Sequence, residues 1–329
     1  MIAIVYTQYG SPDVLKLKEV AKPEPKEDQV LVKVQAASAN ALDYRRFEKK
    51  STMGRRKEER SIKSVGKVLG ADIAGRVEAV GSNVKLFQPG DEVFGVAAGF
   101  AGAFAEYACA AEDHLALKPA ELSFEAAAAV PVAGVTALQG LRDKGKIQPG
   151  QKVLINGASG GVGTFAVQIA KSFGAEVTAV CSTRNLEMAR SVGADHVIDY
   201  TKEDFTKNRQ HYDLILAVNG YHPILDYRRA LAARGRCVAI GGSMSQILQG
   251  ILVGPVLSRL GSKKMGFMGI ARTNQRDLVT VKELVEAGEV APVIDRSFPL
   301  AEAAEAIRYL VEGHAQGKVV ITVDRDHRG

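Results

Sequence analysis

Cysteine is scarce in this chain, and its three examples, Cys109, Cys181 and Cys237, lie far apart. No disulfide framework is therefore expected, and a reducing, cytoplasmic setting fits best. Histidine is nearly as rare. His196, His211, His222, His314 and His327 show no ligand spacing among themselves and read as surface residues rather than a metal site. No apolar run approaches the ~18–20 residues of a membrane span, so no membrane partner is expected. The opening Met1-Ile-Ala-Ile-Val-Tyr6 lacks the charged-then-apolar pattern of a signal peptide and reads as a first strand. Short-period repeats and low-complexity tracts are missing as well.

What is present is an ordinary globular composition, 46% hydrophobic and 24% charged over 329 residues. That length suffices for two cores, since single cores stop growing near ~250–300 residues. The formal charge of +6 is unevenly placed. Arg45 to Lys67 holds ten Lys or Arg against three Glu, more than the whole excess. The segment reads as a solvated loop, with phosphate attraction at a site mouth as the other reading. Phe47 is its one aromatic residue, so a nucleic-acid partner is not expected.

The most informative stretch is Val153 to Lys171. An apolar run breaks at Gly157, passes Gly160, Gly161 and Gly163, and resumes with helical periodicity through Val167 and Ala170. This predicts a buried strand, a tight turn and a helix whose first N–H groups point out of the turn. Glycine lacks the Cβ that would block a pyrophosphate, and a helix N-terminus attracts anions. A second strand at Ala175–Cys181 follows where a βαβ unit needs it. The alternative is a glycine-rich surface turn with no ligand.

Around this unit the chain changes character. The first third reads as short strands: Val30–Gln35, Gly75–Val80, Gly90–Gly95 and Ala103–Ala110. Helices are predicted at Glu125–Val130 and Thr136–Leu141. Strands and helices then alternate: Val177–Cys181, helix Asn185–Val192, His196–Ile198, Asp213–Ala217, helix Tyr227–Ala232, Arg236–Ile240. That order means a parallel sheet with helices on both faces. After Met265–Ile270 come helices Asp277–Ala287 and Ala301–Gly313 and a closing strand, Lys318–Val323. The expected boundaries lie near 121 and 271: a dinucleotide-binding domain over 122–270, and a mostly β domain from 1–121 joined by 271–329. The apolar Gln246–Leu260 segment reads equally as a pocket wall, a dimer contact or plain core.

NAD-binding units usually place an acid at the end of the second strand, where it accepts from the ribose hydroxyls. Here that position falls at Cys181-Ser182-Thr183-Arg184, with no carboxylate. Ser182 can donate to a 2′-phosphate, and Arg184 supplies fixed positive charge with a planar donor fork. NADP is therefore expected, unless Arg184 is only an exposed residue at a helix start.

Ordered motifs now point further. Ala37–Asp43, Leu69–Gly81, Gly90–Gly95, Gly134–Gly140, the glycine loop and Gly313–Val320 together resemble the medium-chain dehydrogenase/reductase superfamily, zinc-independent quinone oxidoreductase branch. The resemblance covers nearly the whole chain. It implies an α/β fold: a Rossmann doubly wound parallel sheet plus a GroES-like, mostly β catalytic domain. It implies that Ser159, Gly160, Gly161, Val162 and Gly163 form the pyrophosphate cradle. Ser182 and Tyr200 fall near the adenosine phosphate, Asn219 and Gly241 near the cofactor, and Thr136 close to the nicotinamide. Gln316 stands where the branch often has Arg. A homodimer is also implied.

Zinc-dependent relatives need Cys and His ligands. The corresponding positions here are Asn40, Ala71 and Val132, so no metal is expected. The implied chemistry is NADPH-dependent hydride transfer to a quinone or α,β-unsaturated carbonyl. Such acceptors spread charge over a conjugated oxygen that hydrogen-bond donors can stabilise. Asn40 or Tyr44 is the candidate donor, Tyr44 or water the proton source, and Asp43 an orienting group. Two alternatives stand beside this: an alkenal or enoyl-thioester reductase, and an NADPH-binding RNA-binding or structural protein without turnover.

Overall fold

The computed structural model describes residues 1–48, 67–313 and 315–323. Most of the basic Arg45–Lys67 run, together with His314 and His327, lies outside the described residues. The chain forms two compact units, Met1–Val132 with Thr273–Lys282 and Ile294–Gly329, and Ala133–Arg272 with Glu283–Val293. These divisions fall later than the expected 121 and 271, and the return to the first unit is interrupted.

The first unit is mostly β. Its seven-stranded sheet runs Ile294–Pro299, Lys318–Thr322, Gln29–Ala39, Asp72–Val80, Glu92–Val96, Leu115–Leu117, with Tyr107–Ala111 also pairing to Gln29–Ala39. Val30, Val32 and Val34 alternate inward from the long central strand, as period-2 patterning requires, and meet Ile73, Val77 and Val93 in the core. Helix Ala303–Val311 covers this core with Ala303, Ala306 and Ile307. The expected strand over Ala103–Ala110 is only its second half, Tyr107–Ala111. Its first half changes partners, because the Ala103 and Phe104 N–H groups donate to the Gly70 and Leu69 carbonyls.

The second unit carries a six-stranded sheet, in the order His196–Asp199, Glu176–Cys181, Lys152–Asn156, Tyr212–Ala217, Leu231–Ala239, Lys264–Phe267. All its pairings are parallel. The order reverses between Lys152–Asn156 and Tyr212–Ala217, the switch point at which doubly wound sheets bind ligands outside the strand carboxyl ends. Helix Gly161–Ser172 packs residues 163–170 inward. Its buried Gln168 is held by reciprocal bonds with the Ala291 N–H (2.8 Å) and carbonyl (2.9 Å), which ties the returning Glu283–Val293 segment to this unit.

Two local expectations shift here. The helix predicted at Tyr227–Ala232 spans Ile224–Ala230, because buried Leu231 is drawn into the sheet opposite Tyr212. The helix predicted at Thr136–Leu141 is Pro131–Gln139, followed by a π-helical turn at Gly140–Gly145. The Gln246–Leu260 segment forms helices Met244–Leu252 and Gly254–Arg259. Core burial accounts for Ile247, Gly250 and Gly254, whereas Leu248, Ile251, Leu252, Val256 and Leu260 face outward.

Candidate functional site

In the second unit the central strand ends at Asn156, and the chain turns at Gly157 with φ +85°. A Cβ on Gly157 would meet the Asn219 N at 2.8 Å, so strand ends 156 and 217 approach closely only through glycine. Asn219 donates its N–H to the Asn156 carbonyl at 3.2 Å. A Cβ on Gly241 would lie 2.8 Å from the Val218 carbonyl. Gly157, Asn219 and Gly241 are thus gathered around the switch point.

The turn then opens. Gly160 caps helix Gly161–Ser172, and a Cβ there would meet only the Gly157 carbonyl, at 3.9 Å. Gly163 differs, since its Cβ would lie 2.1 Å from that same carbonyl. One glycine packs the helix against the strand and another leaves an approach to the helix N-terminus. Ser159, Gly161 and Val162 are partly exposed beside it. This cradle fits a pyrophosphate. Thr136 is buried on helix Pro131–Gln139 of the same unit.

Ser182, Arg184 and Tyr200 lie just past the ends of the neighbouring strands Glu176–Cys181 and His196–Asp199. The Tyr200 N–H donates to the Cys181 carbonyl at 3.0 Å. Ser182 Oγ accepts from Asn185 Nδ2 at 3.1 Å, which leaves its hydroxyl hydrogen to donate outward. Arg184 and Tyr200 are exposed. Sequence reading missed a carboxylate here: Asp199 Oδ2 accepts the Thr183 hydroxyl at 2.5 Å. It lies outside the ~20-residue window because it comes from the third strand, in register with Cys181.

In the first unit, Asn40, Asp43 and Tyr44 sit at the start of helix Ala41–Phe47, which Asn40 caps. Asp43 Oδ2 accepts the Asn40 N–H at 2.8 Å, one arm of a capping box. The Asn40 side chain is held by Asp72 and Lys318. Its Nδ2 donates to Asp72 Oδ2 (2.9 Å) and the Ser38 carbonyl (3.2 Å), and its Oδ1 accepts from Lys318 Nζ (2.8 Å). The reverse orientation would face the amide hydrogens to an ammonium and the oxygen to a carboxylate. Both amide hydrogens are therefore spent inside the protein, and Asn40 is corrected from substrate donor to internal strut.

Asp72 is the hub. Besides Asn40, Oδ2 accepts from Ser38 Oγ (2.6 Å) and Lys318 Nζ (3.2 Å), and Oδ1 accepts the Val132 N–H (2.9 Å). Ser38, Asp72 and Lys318 are at most 2% exposed. Neither Asp72 nor Lys318 was singled out from sequence, although both lie inside the motifs Leu69–Gly81 and Gly313–Val320. The Asp43 carboxyl, fully buried and with Oδ1 unpartnered among the described residues, is pushed up to about 7. Burial is the main cause and the Asp72 charge adds to it, against the Asn40 N–H and the Lys318 and Arg46 charges.

Tyr44 is half-buried, edge-on to Phe47 with ring centroids 5.6 Å apart. Burial, then Glu48, raises its phenol above the usual tyrosine range. Gln316 donates its N–H to Asp295 Oδ2 at 2.9 Å. Among the described residues, no group of three or more His, Cys, Asp or Glu is placed to hold a metal ion.

Known proteins resemble this chain in sequence and fold. Residues 26–120 match the alcohol dehydrogenase GroES-like domain, and residues 192–321 match a family described as zinc-binding dehydrogenase. A 2-methylene-furan-3-one reductase of Solanum lycopersicum is 39% identical over 98% of this chain and 79% of its own length. A chloroplastic NADPH-dependent alkenal/one oxidoreductase of Arabidopsis thaliana is 36% identical over the same shares. The Escherichia coli quinone oxidoreductase complexed with NADPH superposes with a TM-score of 0.84 at 26% identity, covering 98% of this chain and 100% of that one. The chain belongs to the quinone oxidoreductase branch of the medium-chain dehydrogenase/reductase superfamily. No helix is long and apolar enough to cross a membrane.

Proposed function

We propose that this protein is an NADPH-dependent oxidoreductase that reduces quinones or α,β-unsaturated carbonyls without zinc. The observation that carries the reading is the open glycine turn at the sheet's switch point, with Ser182, Arg184 and Tyr200 just past the neighbouring strand ends. The first suits a pyrophosphate and the second a 2′-phosphate. The relatives named as an alkenal/one oxidoreductase and as a quinone oxidoreductase with NADPH support the same cofactor and acceptor class.

Residues 159–163 would hold the pyrophosphate and Ser182, Arg184 and Tyr200 the adenosine phosphate, with Thr136 close to the nicotinamide and Asn219 and Gly241 near the cofactor. The bound cofactor supplies a hydride to the electron-poor acceptor. Tyr44 is our candidate for the accompanying proton, because its half-buried phenol carries a transferable O–H on the helix that Asn40 caps. Asn40 and Asp43 fix the helix that carries it.

Zinc-independence is supported by the chemistry at the ligand positions. An amide, a methyl and an isopropyl group stand at Asn40, Ala71 and Val132, and the Lys318 ammonium already lies 2.8 Å from Asn40 Oδ1. We assign the outward apolar residues of helices Met244–Leu252 and Gly254–Arg259 to contact with a second copy of the chain. A cytoplasmic setting accords with its free thiols.

The test is NADPH oxidation against a panel of quinones, alkenals and enones, with NADH alongside and metal content measured. Turnover with NADPH on these acceptors is expected. Bound zinc, or activity confined to alcohols, overturns the reading.

A further inference from the structure

The adenosine end of the second unit holds a charge that the NADPH reading does not use. Strands Glu176–Cys181 and His196–Asp199 run parallel with Cys181 opposite Asp199, so both end on the side where doubly wound sheets take their ligands. Just past those ends lie Ser182 on one strand and Tyr200 on the other. A carboxylate here is the group that would accept from an unphosphorylated ribose and repel a 2′-phosphate.

Asp199 is spent on its neighbours instead. Oδ2 accepts the Thr183 hydroxyl at 2.5 Å, and Oδ1 accepts both the Thr201 hydroxyl at 2.7 Å and the Thr201 N–H at 3.0 Å. Lys202 Nζ lies 3.5 Å from Oδ2. The side chain is left only 9% exposed. Each threonine has one hydroxyl hydrogen and gives it to this carboxylate. The Thr183 hydroxyl, followed by Thr201, holds the Asp199 carboxyl down at about 2, so it is charged at any working pH.

We propose that Thr183 and Thr201 form a clamp that masks the Asp199 carboxylate and thereby sets the site's preference for a 2′-phosphorylated cofactor. Thr183 is thereby a positioning residue that acts on specificity through Asp199. It sits between Ser182 and Arg184, the groups assigned to the phosphate, and occupies one acceptor oxygen of the adjacent carboxylate. Releasing one oxygen of Asp199 exposes an acceptor beside Ser182 and tilts the site toward a free 2′-hydroxyl.

The inference rests on the NADP(H) reading, and one binding experiment separates the two. Calorimetry with adenosine 2′,5′-bisphosphate and adenosine 5′-monophosphate reads the 2′ preference on cofactor fragments, without turnover. The unaltered protein is expected to favour the bisphosphate. Thr183→Val is expected to lower the ratio of the two affinities by about tenfold, the weight of one charge-assisted contact. Thr183→Ser keeps the hydroxyl and the ratio, and Thr183→Val combined with Asp199→Asn restores it. If Thr183→Val does not fold by circular dichroism, Thr201→Val removes the hydroxyl contact on the other oxygen, leaving only the backbone N–H there, and is read in the same way. A preference in the unaltered protein that neither unclamping variant changes overturns the clamp and leaves the NADP(H) reading standing. Equal binding of both fragments by the unaltered protein overturns that reading and the clamp with it.

Discussion

Lys318 and Asn40, 278 positions apart in the chain, meet with the lysine ammonium donating to the amide oxygen at 2.8 Å. The same ammonium lies 3.2 Å from Asp72, so one closing-strand residue holds both the cap of the Tyr44 helix and the carboxylate beneath it. All three side chains are at most 9% exposed. Removing one member of a buried ion pair strands the other charge, at a cost of about 3–5 kcal/mol. Lys318→Met is therefore expected to lower unfolding stability by that order, read from guanidinium denaturation. Adding Asp72→Asn removes the stranded charge and should recover most of the loss. Equal stability of Lys318→Met and the unaltered protein would show that the pair contributes nothing.

Asp43 gives the fold a pH signature. Its carboxyl has an ordinary value of 3.8 when the chain is unfolded and about 7 in the fold, so the folded state binds the proton more tightly. The stability this contributes is fully present below pH 3.8 and is lost as pH rises through 7. The slope approaches about 1.4 kcal/mol per pH unit inside that window. Asp199 works in the opposite sense, contributing above 3.8 and losing its share as pH falls through about 2, so the windows do not overlap. Denaturation midpoints measured from pH 4 to 8 should show a decline that Asp43→Asn removes. A decline that persists in the variant assigns it to another group.

Tyr44 separates chemistry from scaffolding. Tyr44→Phe keeps the edge-on contact with Phe47 and deletes only the hydroxyl. Turnover on enones is expected to fall by about 10²-fold, the lower range for a positioned proton donor, with the KM for NADPH unchanged. Unaltered kinetics would leave the proton to water.

The outward face of helices Met244–Leu252 and Gly254–Arg259 tests the assembly. Leu252 is 66% and Leu260 73% exposed, within a run of apolar neighbours that a monomer would leave wet. Sedimentation should give a dimer that Leu252→Glu dissociates. A monomer in both cases removes the assignment.

How far the sequence reached depends on the range of each interaction. The glycine turn was legible because strand, turn and helix are consecutive in the chain. The Val30–Gln35 part of strand Gln29–Ala39 was legible from alternation, whereas its continuation through Ala39 was not. Leu231 was misplaced because its pull comes from Tyr212, across the sheet. The Asn40–Asp72–Lys318 network and the Thr183–Asp199 bond were illegible for the same reason. Their residues are ordinary polar types in sequence and acquire a role only when distant strands bring them within 3 Å or so. Asn40 shows the cost of reading one residue alone, since only its partners reveal that the amide has no hydrogen left to give.

The two glycines of the turn make the sharpest contrast. At Gly163 a Cβ would lie 2.1 Å from the Gly157 carbonyl and 2.7 Å from Ala158, both backbone, so nothing can yield cheaply. Gly163→Ala should therefore lose stability by about 1–3 kcal/mol through overpacking, and cofactor binding with it. At Gly160 the backbone is extended (φ −84°, ψ 174°), and the nearest atom to a Cβ is 3.9 Å away. Gly160→Ala should keep its stability within about 1 kcal/mol, the range of an N-cap change. Its new methyl nevertheless stands in the open approach to the helix N-terminus, where the pyrophosphate is assigned. Weaker NADPH binding at unchanged stability is the expected result, read by fluorescence titration beside a thermal melt. Full-strength binding by Gly160→Ala would move the pyrophosphate off this turn.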